Sequence, residues 1–255
     1  MQTDKPIGKK PKAVTTPAGA LPPLVIIPAY NEEVAIGRVV SRLLELGFHV
    51  VVVDDCSKDN TIKVAEKAGA TVLRHPTNLG YGCALQTGYL YALEKNYQRV
   101  VQADGDGQHE PDSALDLIRV MEEKNVDVVI GSRFLHPLNY QAPRLRRMGQ
   151  HFFSYMVNIT TGMGITDPTS GFQALSLDVI KFYCTRVFPD DYPDANILML
   201  LHRKRFRVTE TAVRMYPSSS GSMHSGFFNP IYYVIRMNFS MFMSRLVKLT
   251  GEKQR

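Results

Sequence analysis

Leu24-Val25-Ile26-Ile27-Pro28-Ala29-Tyr30-Asn31-Glu32 opens the part of the chain whose pattern decides the fold. Four apolar residues halt at Pro28, the mark of a short buried strand. Val34, Ile36, Val39, Val40, Leu43, Leu44 and Leu46 then recur at helical spacing, and Gly47 supplies a stop. Val50-Val51-Val52-Val53 is a second, β-branched run, and it ends at Asp54-Asp55. The unit repeats outward. The pattern predicts a helix over 60–68, a strand over 71–74, a helix over 81–96 and a strand over 99–103 that ends at Asp104. A helix over 112–124 then leads into Val128-Val129-Ile130. Apolar strands alternating with amphipathic helices predict an α/β domain, a mostly parallel sheet flanked on both faces by helices. Ligands of such sheets sit at the carboxyl ends of the strands. The polar clusters Tyr30-Asn31-Glu32, Asp54-Asp55 and Asp104-Gly105-Asp106 fall at three such ends, which points to one shared site.

Beyond residue 135 the alternation weakens. A helix is expected over 144–162, with Arg144, Arg146 and Arg147 in its first turn. A strand over 171–176, a helix over 193–203 and a strand over 206–213 follow. Residues 1–23, with five prolines among Lys, Thr, Ala and Gly, show no apolar period and read as a flexible arm. The body is assigned to 24–225 and a C-terminal amphipathic helical segment to 226–255.

The chain has 255 residues, 44% hydrophobic and 21% charged, which excludes general disorder and suffices for a sizeable core. Its formal charge of +6 is concentrated at the two ends. The arm and the C-terminal segment together exceed that total, so the body is close to neutral. A basic pI therefore gives no support to nucleic-acid binding. Cys56, Cys83 and Cys184 are odd in number and widely spaced, which predicts reduced thiols in a cytoplasmic protein. No signal peptide and no uninterrupted spanning segment is expected.

Phe227 to Leu249 is rich in aromatic residues and Met but is interrupted by Arg236, Asn238, Arg245 and Lys248. Burying Arg236 mid-bilayer costs roughly 2.5 kcal/mol or more. A helix lying in the headgroup region avoids that cost. The expectation is peripheral contact with the cytoplasmic face of a membrane, or else packing on the body or on a second subunit.

Asp104-Gly105-Asp106, followed by Gln108 and His109, places two carboxylates two residues apart on a turn past a strand. Such a pair can converge on Mg²⁺ or Mn²⁺, hard cations that take oxygen ligands and keep phosphate oxygens in their shell. A cation there neutralises a diphosphate leaving group. Taken alone, the same pair also fits an ordinary surface turn.

The ordered set is wider, however. Pro28-Ala29-Tyr30-Asn31-Glu32, Asp54 to Thr61, Asn78-Leu79-Gly80-Tyr81-Gly82, Asp104 to His109 and Gly131-Ser132-Arg133 together resemble the inverting family 2 glycosyltransferases. Within that family the chain is most similar to the dolichyl- and polyprenyl-phosphate mannose or glucose synthases. The resemblance covers about residues 24–225. It implies a GT-A (Rossmann-like) fold, a nucleotide-diphosphate-sugar donor (UDP- or GDP-hexose), a divalent metal and a polyprenyl phosphate acceptor. By the same resemblance Pro28, Tyr30, Asn31, Glu32 and Asp55 contact the nucleotide, with Asp104 beside nucleotide and metal. Asp106 and Gln108 ligate the metal, and His224 in Gly221-Ser222-Met223-His224 is a candidate third ligand. Arg133, on a mobile loop, meets phosphate oxygens. Ser170 and Gly171, in Asp167-Pro168-Thr169-Ser170-Gly171-Phe172, line the acceptor side. Asp194 lies where many relatives carry an acidic base.

The residues themselves leave plainer readings open. Asn31-Glu32, Asp59-Asn60-Thr61 and Asp194 also suit helix caps, and Asn78 to Gly82 also suits a bare turn. His49, His75, His151 and His202 read as structural or solvated. Many relatives place an arginine just before the late glycine-serine loop, where this chain has Ser218-Ser219-Ser220. Arg214 or the basic turn Arg144 to Arg147 is the available substitute for holding an acceptor phosphate. A soluble or glycan hydroxyl is the alternative acceptor, and it would need a carboxylate base such as Asp194. A sugar nucleotidyltransferase would need a glycine-rich basic loop after the first strand, which is absent from this sequence. A non-enzymatic binding module would lose the metal aspartates.

Overall fold

The computed structural model describes residues 21–135, 144–189, 193, 195–216 and 239–240. The first unit is as predicted: β1 (Leu24–Ala29), α1 (Ile36–Glu45) and β2 (His49–Asp54). It continues with α2 (Thr61–Lys67), β3 (Thr71–Arg74), α3 (Tyr81–Glu94), β4 (Arg99–Gln102), α4 (Ser113–Lys124) and β5 (Val128–Ser132). After it come α5 (Arg144–Thr161), β6 (Gln173–Ser176), α6 (Leu177–Tyr183), α7 (Ala195–Arg203) and β7 (Val208–Ala212).

The described strands form one sheet in the order β3-β2-β1-β4-β6-β5-β7. It is parallel except for β6, which runs antiparallel to both β4 and β5. The strand order reverses between β2 and β4, on either side of β1, which creates a crevice at the carboxyl ends of these strands.

Every residue of β1 is buried because both faces of the sheet are covered. Leu24 and Ile26 face one core with Val51, Val53, Leu85 and Tyr89. Val25 and Ile27 face the other with Val50, Val52, Ile36, Val40 and Leu117. This period of two is what turns a continuous apolar run into a two-sided core. Helix α3 lies so close on β1 that a Cβ on Gly88 would come within 2.4 Å of Ile26 Cγ2. That close approach fixes where the first residue of α3, Tyr81, projects.

Two elements depart from the sequence reading. The expected strand near 171–176 forms as the shorter, antiparallel β6, and α6 was not anticipated. Phe239 and Ser240 are the described part of the C-terminal segment. Ser240 Oγ accepts from Asn196 Nδ2 of α7 at 2.7 Å, and Phe239 is exposed. The rest of that segment and the N-terminal arm lie outside the described residues. Among the described residues no helix is long and apolar enough to cross a membrane.

Candidate active site

The loops after β1 and β2 are stitched to each other. Asn31, at φ 58°, donates its N–H to Ser57 Oγ at 2.9 Å and accepts Lys58 N–H on Oδ1 at 2.8 Å. Glu32 is buried, and its N–H donates to Thr61 Oγ1 at 2.7 Å. Pro28 is buried within β1, while Tyr30 is half-buried at its end. Asp59, which the sequence suggested as a cap, accepts Thr61 N–H at 2.9 Å and Glu33 N–H at 3.1 Å. Burial pushes its pKa up, but these donors outweigh burial and hold it below the usual carboxylate range.

Asp55 is buried, and both of its carboxylate oxygens meet protein donors. Oδ1 accepts Leu79 N–H at 2.8 Å and faces His75 Nδ1 at 2.8 Å, while Oδ2 accepts Gly80 N–H at 2.8 Å. Asp55 thus fixes the turn entering α3. Gly80, at φ 96°, adopts there a backbone conformation that side chains disfavour. His75 is buried, and its Nε2 meets Thr87 Oγ1 at 2.9 Å.

Tyr81 then reaches across to the loop after β4, donating its hydroxyl to Asp104 Oδ1 at 3.0 Å. Burial, followed by the Asp104 charge, holds the Tyr81 phenol well above its usual range, so it remains a donor. On the other side of Asp104, His109 Nδ1 lies 3.8 Å from Oδ2, its ring stacked on Phe172 at 4.7 Å. Asp106 accepts Gln108 N–H at 2.9 Å and the Gln108 side-chain amide on its other oxygen. Burial, and next the charge of Asp104, raise the Asp106 pKa.

Gly171, in the segment expected on the acceptor side, lies directly opposite. A Cβ there would be 2.9 Å from the Tyr81 hydroxyl and 3.4 and 3.5 Å from the two Asp104 oxygens. The clearance beside Asp104 and the all-oxygen donor set fit a hard divalent cation that completes its shell with phosphate and water. Among the described residues no group of three or more His, Cys, Asp or Glu side chains could hold a metal.

The Gly131-Ser132-Arg133 and Asp167 to Phe172 segments meet each other. Arg133 Nε and Nη2 bind the two oxygens of fully buried Asp167, each at 2.6 Å, and Nη2 also meets Thr169 Oγ1 at 3.0 Å. Ser170, expected on the acceptor side, is buried and donates its hydroxyl to the Gly131 carbonyl at 2.6 Å. It supports the loop from within. Arg144 and Arg147 lie in the first turn of α5, as predicted. Asp194 and His224 lie outside the described residues.

The residues matched by known sequences coincide with this site. The glycosyl transferase family 2 model matches residues 24–183, well over half of the chain.

The chain belongs to glycosyl transferase family 2.

It is accordingly a glycosyltransferase. Among its relatives is the UDP-N-acetylglucosamine–dolichyl-phosphate N-acetylglucosaminyltransferase of Methanococcus voltae. That protein is 29% identical, with 71% of this chain and 79% of the relative aligned. The undecaprenyl-phosphate mannosyltransferase of Micrococcus luteus is 33% identical, over 62% and 68% of the two chains. A solved structure of glucosyl-3-phosphoglycerate synthase from Mycobacterium tuberculosis, in complex with Mn²⁺ and UDP-glucose, superposes with a TM-score of 0.66. It covers 92% of this chain and 82% of that one at 19% identity, a likeness of fold.

Sequence reasoning missed several residues that organise the site of this family 2 enzyme. Gln102 donates to Tyr81 Oη at 3.1 Å. Glu210 of β7 accepts the N–H groups of Thr166 and Asp167, each at 2.8 Å, and so sets the partner of Arg133. Burial raises the Glu210 pKa despite these donors. Nothing in the local pattern of β7 marks Glu210, whose partners lie over 40 residues away.

Proposed function

We propose that the chain is an inverting glycosyltransferase that moves a hexose from a nucleotide-diphosphate sugar to a polyprenyl phosphate, with Mg²⁺ or Mn²⁺ as cofactor. The observation that carries this reading is the close approach of Gly171 to Asp104, whose charge also acts on Asp106, at the end of the strand beside β1. The relatives named for transfer to dolichyl and undecaprenyl phosphate support the acceptor.

Asp104 and Asp106 would hold the cation, with Gln108 orienting Asp106. A bound cation supplies neutralisation of the departing nucleotide diphosphate. Asp55 shapes the turn against which the nucleotide lies, together with Tyr30, Asn31 and Glu32. Arg133, oriented by Asp167, would meet phosphate oxygens as a hydrogen-bond donor, its charge balanced in part by that carboxylate. A polyprenyl phosphate is already an anion at neutral pH and attacks without a strong base. A soluble or glycan hydroxyl acceptor would need its proton removed during attack, and Asp194 would then be the base. The aromatic C-terminal segment, in peripheral contact with the cytoplasmic face of a membrane, would bring the site to a lipid acceptor.

The test is direct. Full-length protein with Mn²⁺ or Mg²⁺ is incubated with a panel of UDP- and GDP-sugars, with and without undecaprenyl phosphate, and released nucleotide is followed. Lipid-dependent release with one donor is expected. Absence of lipid-dependent turnover with every donor overturns the lipid acceptor.

A further inference from the structure

We propose that Tyr81, held by Gln102 and Tyr89, is a positioning residue that fixes the orientation of the Asp104 carboxylate toward the nucleotide and its cation. The inference rests on the reading of Asp104 as a donor-side carboxylate.

Three hydrogen bonds run in one direction. Tyr89 Oη donates to Gln102 Oε1 at 2.6 Å, Gln102 Nε2 donates to Tyr81 Oη at 3.1 Å, and Tyr81 Oη donates to Asp104 Oδ1 at 3.0 Å. The direction follows from donor counting. A phenol has one hydrogen, an amide oxygen only accepts, and an ionised carboxylate only accepts. Tyr89 spends its hydrogen on the carbonyl end of Gln102, which turns the NH₂ end toward Tyr81. Tyr81 accepts from that NH₂ and directs its own hydrogen at Asp104. With the Tyr89 hydroxyl removed, the Gln102 amide can flip, present its oxygen to Tyr81 and draw that hydrogen away from Asp104.

The chain of bonds begins in the core and ends at the site. Tyr89 is fully buried and Gln102 is 3% exposed, whereas the Asp104 side chain is 31% exposed. Tyr89 is also wedged between Tyr183 and Phe188, so its hydroxyl starts from a fixed point. Gly171 completes the arrangement, because a side chain there would crowd the Tyr81 hydroxyl. One oxygen of Asp104 is thereby committed to Tyr81, and rotation of the carboxylate is restrained. Partners that orient a metal ligand from behind commonly contribute 10–100-fold in metal affinity.

The test uses full-length wild type, Tyr81→Phe, Tyr89→Phe and Asp104→Asn. Mn²⁺ is titrated in the presence of UDP or GDP, and free Mn²⁺ is read by electron paramagnetic resonance. Thermal melts run alongside. Tyr81→Phe is expected to lose about tenfold in Mn²⁺ affinity while melting close to wild type. Tyr89→Phe is expected to shift affinity the same way by a smaller factor, although its hydroxyl touches no acidic group. Adding Tyr81→Phe to Asp104→Asn should cost nothing more. Tyr81→Phe and Tyr89→Phe that both bind Mn²⁺ within twofold of wild type overturn the inference alone. Wild type that takes up no Mn²⁺ with either nucleotide removes the reading of Asp104, and the inference with it.

Discussion

Arg133 and Asp167 meet through two parallel contacts, Nε to Oδ2 and Nη2 to Oδ1, both at 2.6 Å, with Asp167 fully buried. The Arg133 backbone N–H also donates to Asp167 Oδ2 at 3.1 Å. Two planar forks aligned in this way add geometric specificity to the charge attraction. Asp167 is in turn held by Glu210, which binds the Thr166 and Asp167 amides. The guanidinium is therefore placed by the strand β7 beneath it.

Removing either member strands the other charge in a poorly solvated position. Asp167→Asn and Arg133→Ala are each expected to lower the unfolding free energy by about 3 kcal/mol. A double-mutant cycle in denaturant should show strong coupling between them. Additive losses would mean that the pair contributes nothing as a pair. Arg133→Lys, which keeps the charge but not the fork, should fall between wild type and Arg133→Ala.

Gly88→Ala sets two effects against each other. Replacing a mid-helix glycine with alanine favours the helix by about 1 kcal/mol. The added Cβ, however, would meet Ile26 Cγ2 at 2.4 Å in a fully buried core. Overpacking of this kind costs typically 1–3 kcal/mol, and more where the backbone must move. A net loss of stability is expected, read as a lower melting temperature. A rise would show that α3 can lift off β1 without penalty.

The pH dependence of metal uptake follows from Asp106, whose pKa burial and the Asp104 charge raise. A cation requires the ionised carboxylate, so Mn²⁺ affinity in the presence of UDP should rise with pH through that elevated value. In the metal-free protein the stability effect has the opposite sign. Folding favours the protonated carboxyl, so the contribution of Asp106 is complete below its unfolded pKa and is lost as pH rises through the folded one. Asp106→Asn should remove the Asp106 share of both dependences, which Mn²⁺ titration and denaturation at several pH values would reveal.

Asp55→Asn replaces one carboxylate oxygen with a donor that faces Gly80 N–H or Leu79 N–H. One part-buried amide then loses its acceptor, at a cost of about 1 kcal/mol. The turn entering α3 should loosen, and UDP or GDP should bind about tenfold more weakly by calorimetry. Unchanged nucleotide affinity would confine Asp55 to structural support away from the donor.

The sequence alone determined the alternation of strands and helices, because a buried run and a helical period are local properties of the chain. For the same reason it placed the carboxylates at strand ends. It could not tell which of those polar groups face a ligand and which serve the fold. Asp55, Ser170 and Arg133 look alike to a motif reading, yet all three are engaged by protein partners, at His75 and Gly80, at Gly131 and at Asp167. Those partners lie 20 to 39 residues away, and the sheet order brings them together. The antiparallel β6 and the line from Tyr89 through Gln102 and Tyr81 to Asp104 belong to the tertiary structure for the same reason. A hydrogen bond between distant segments depends on where packed elements point their side chains, and neither composition nor periodicity carries that information.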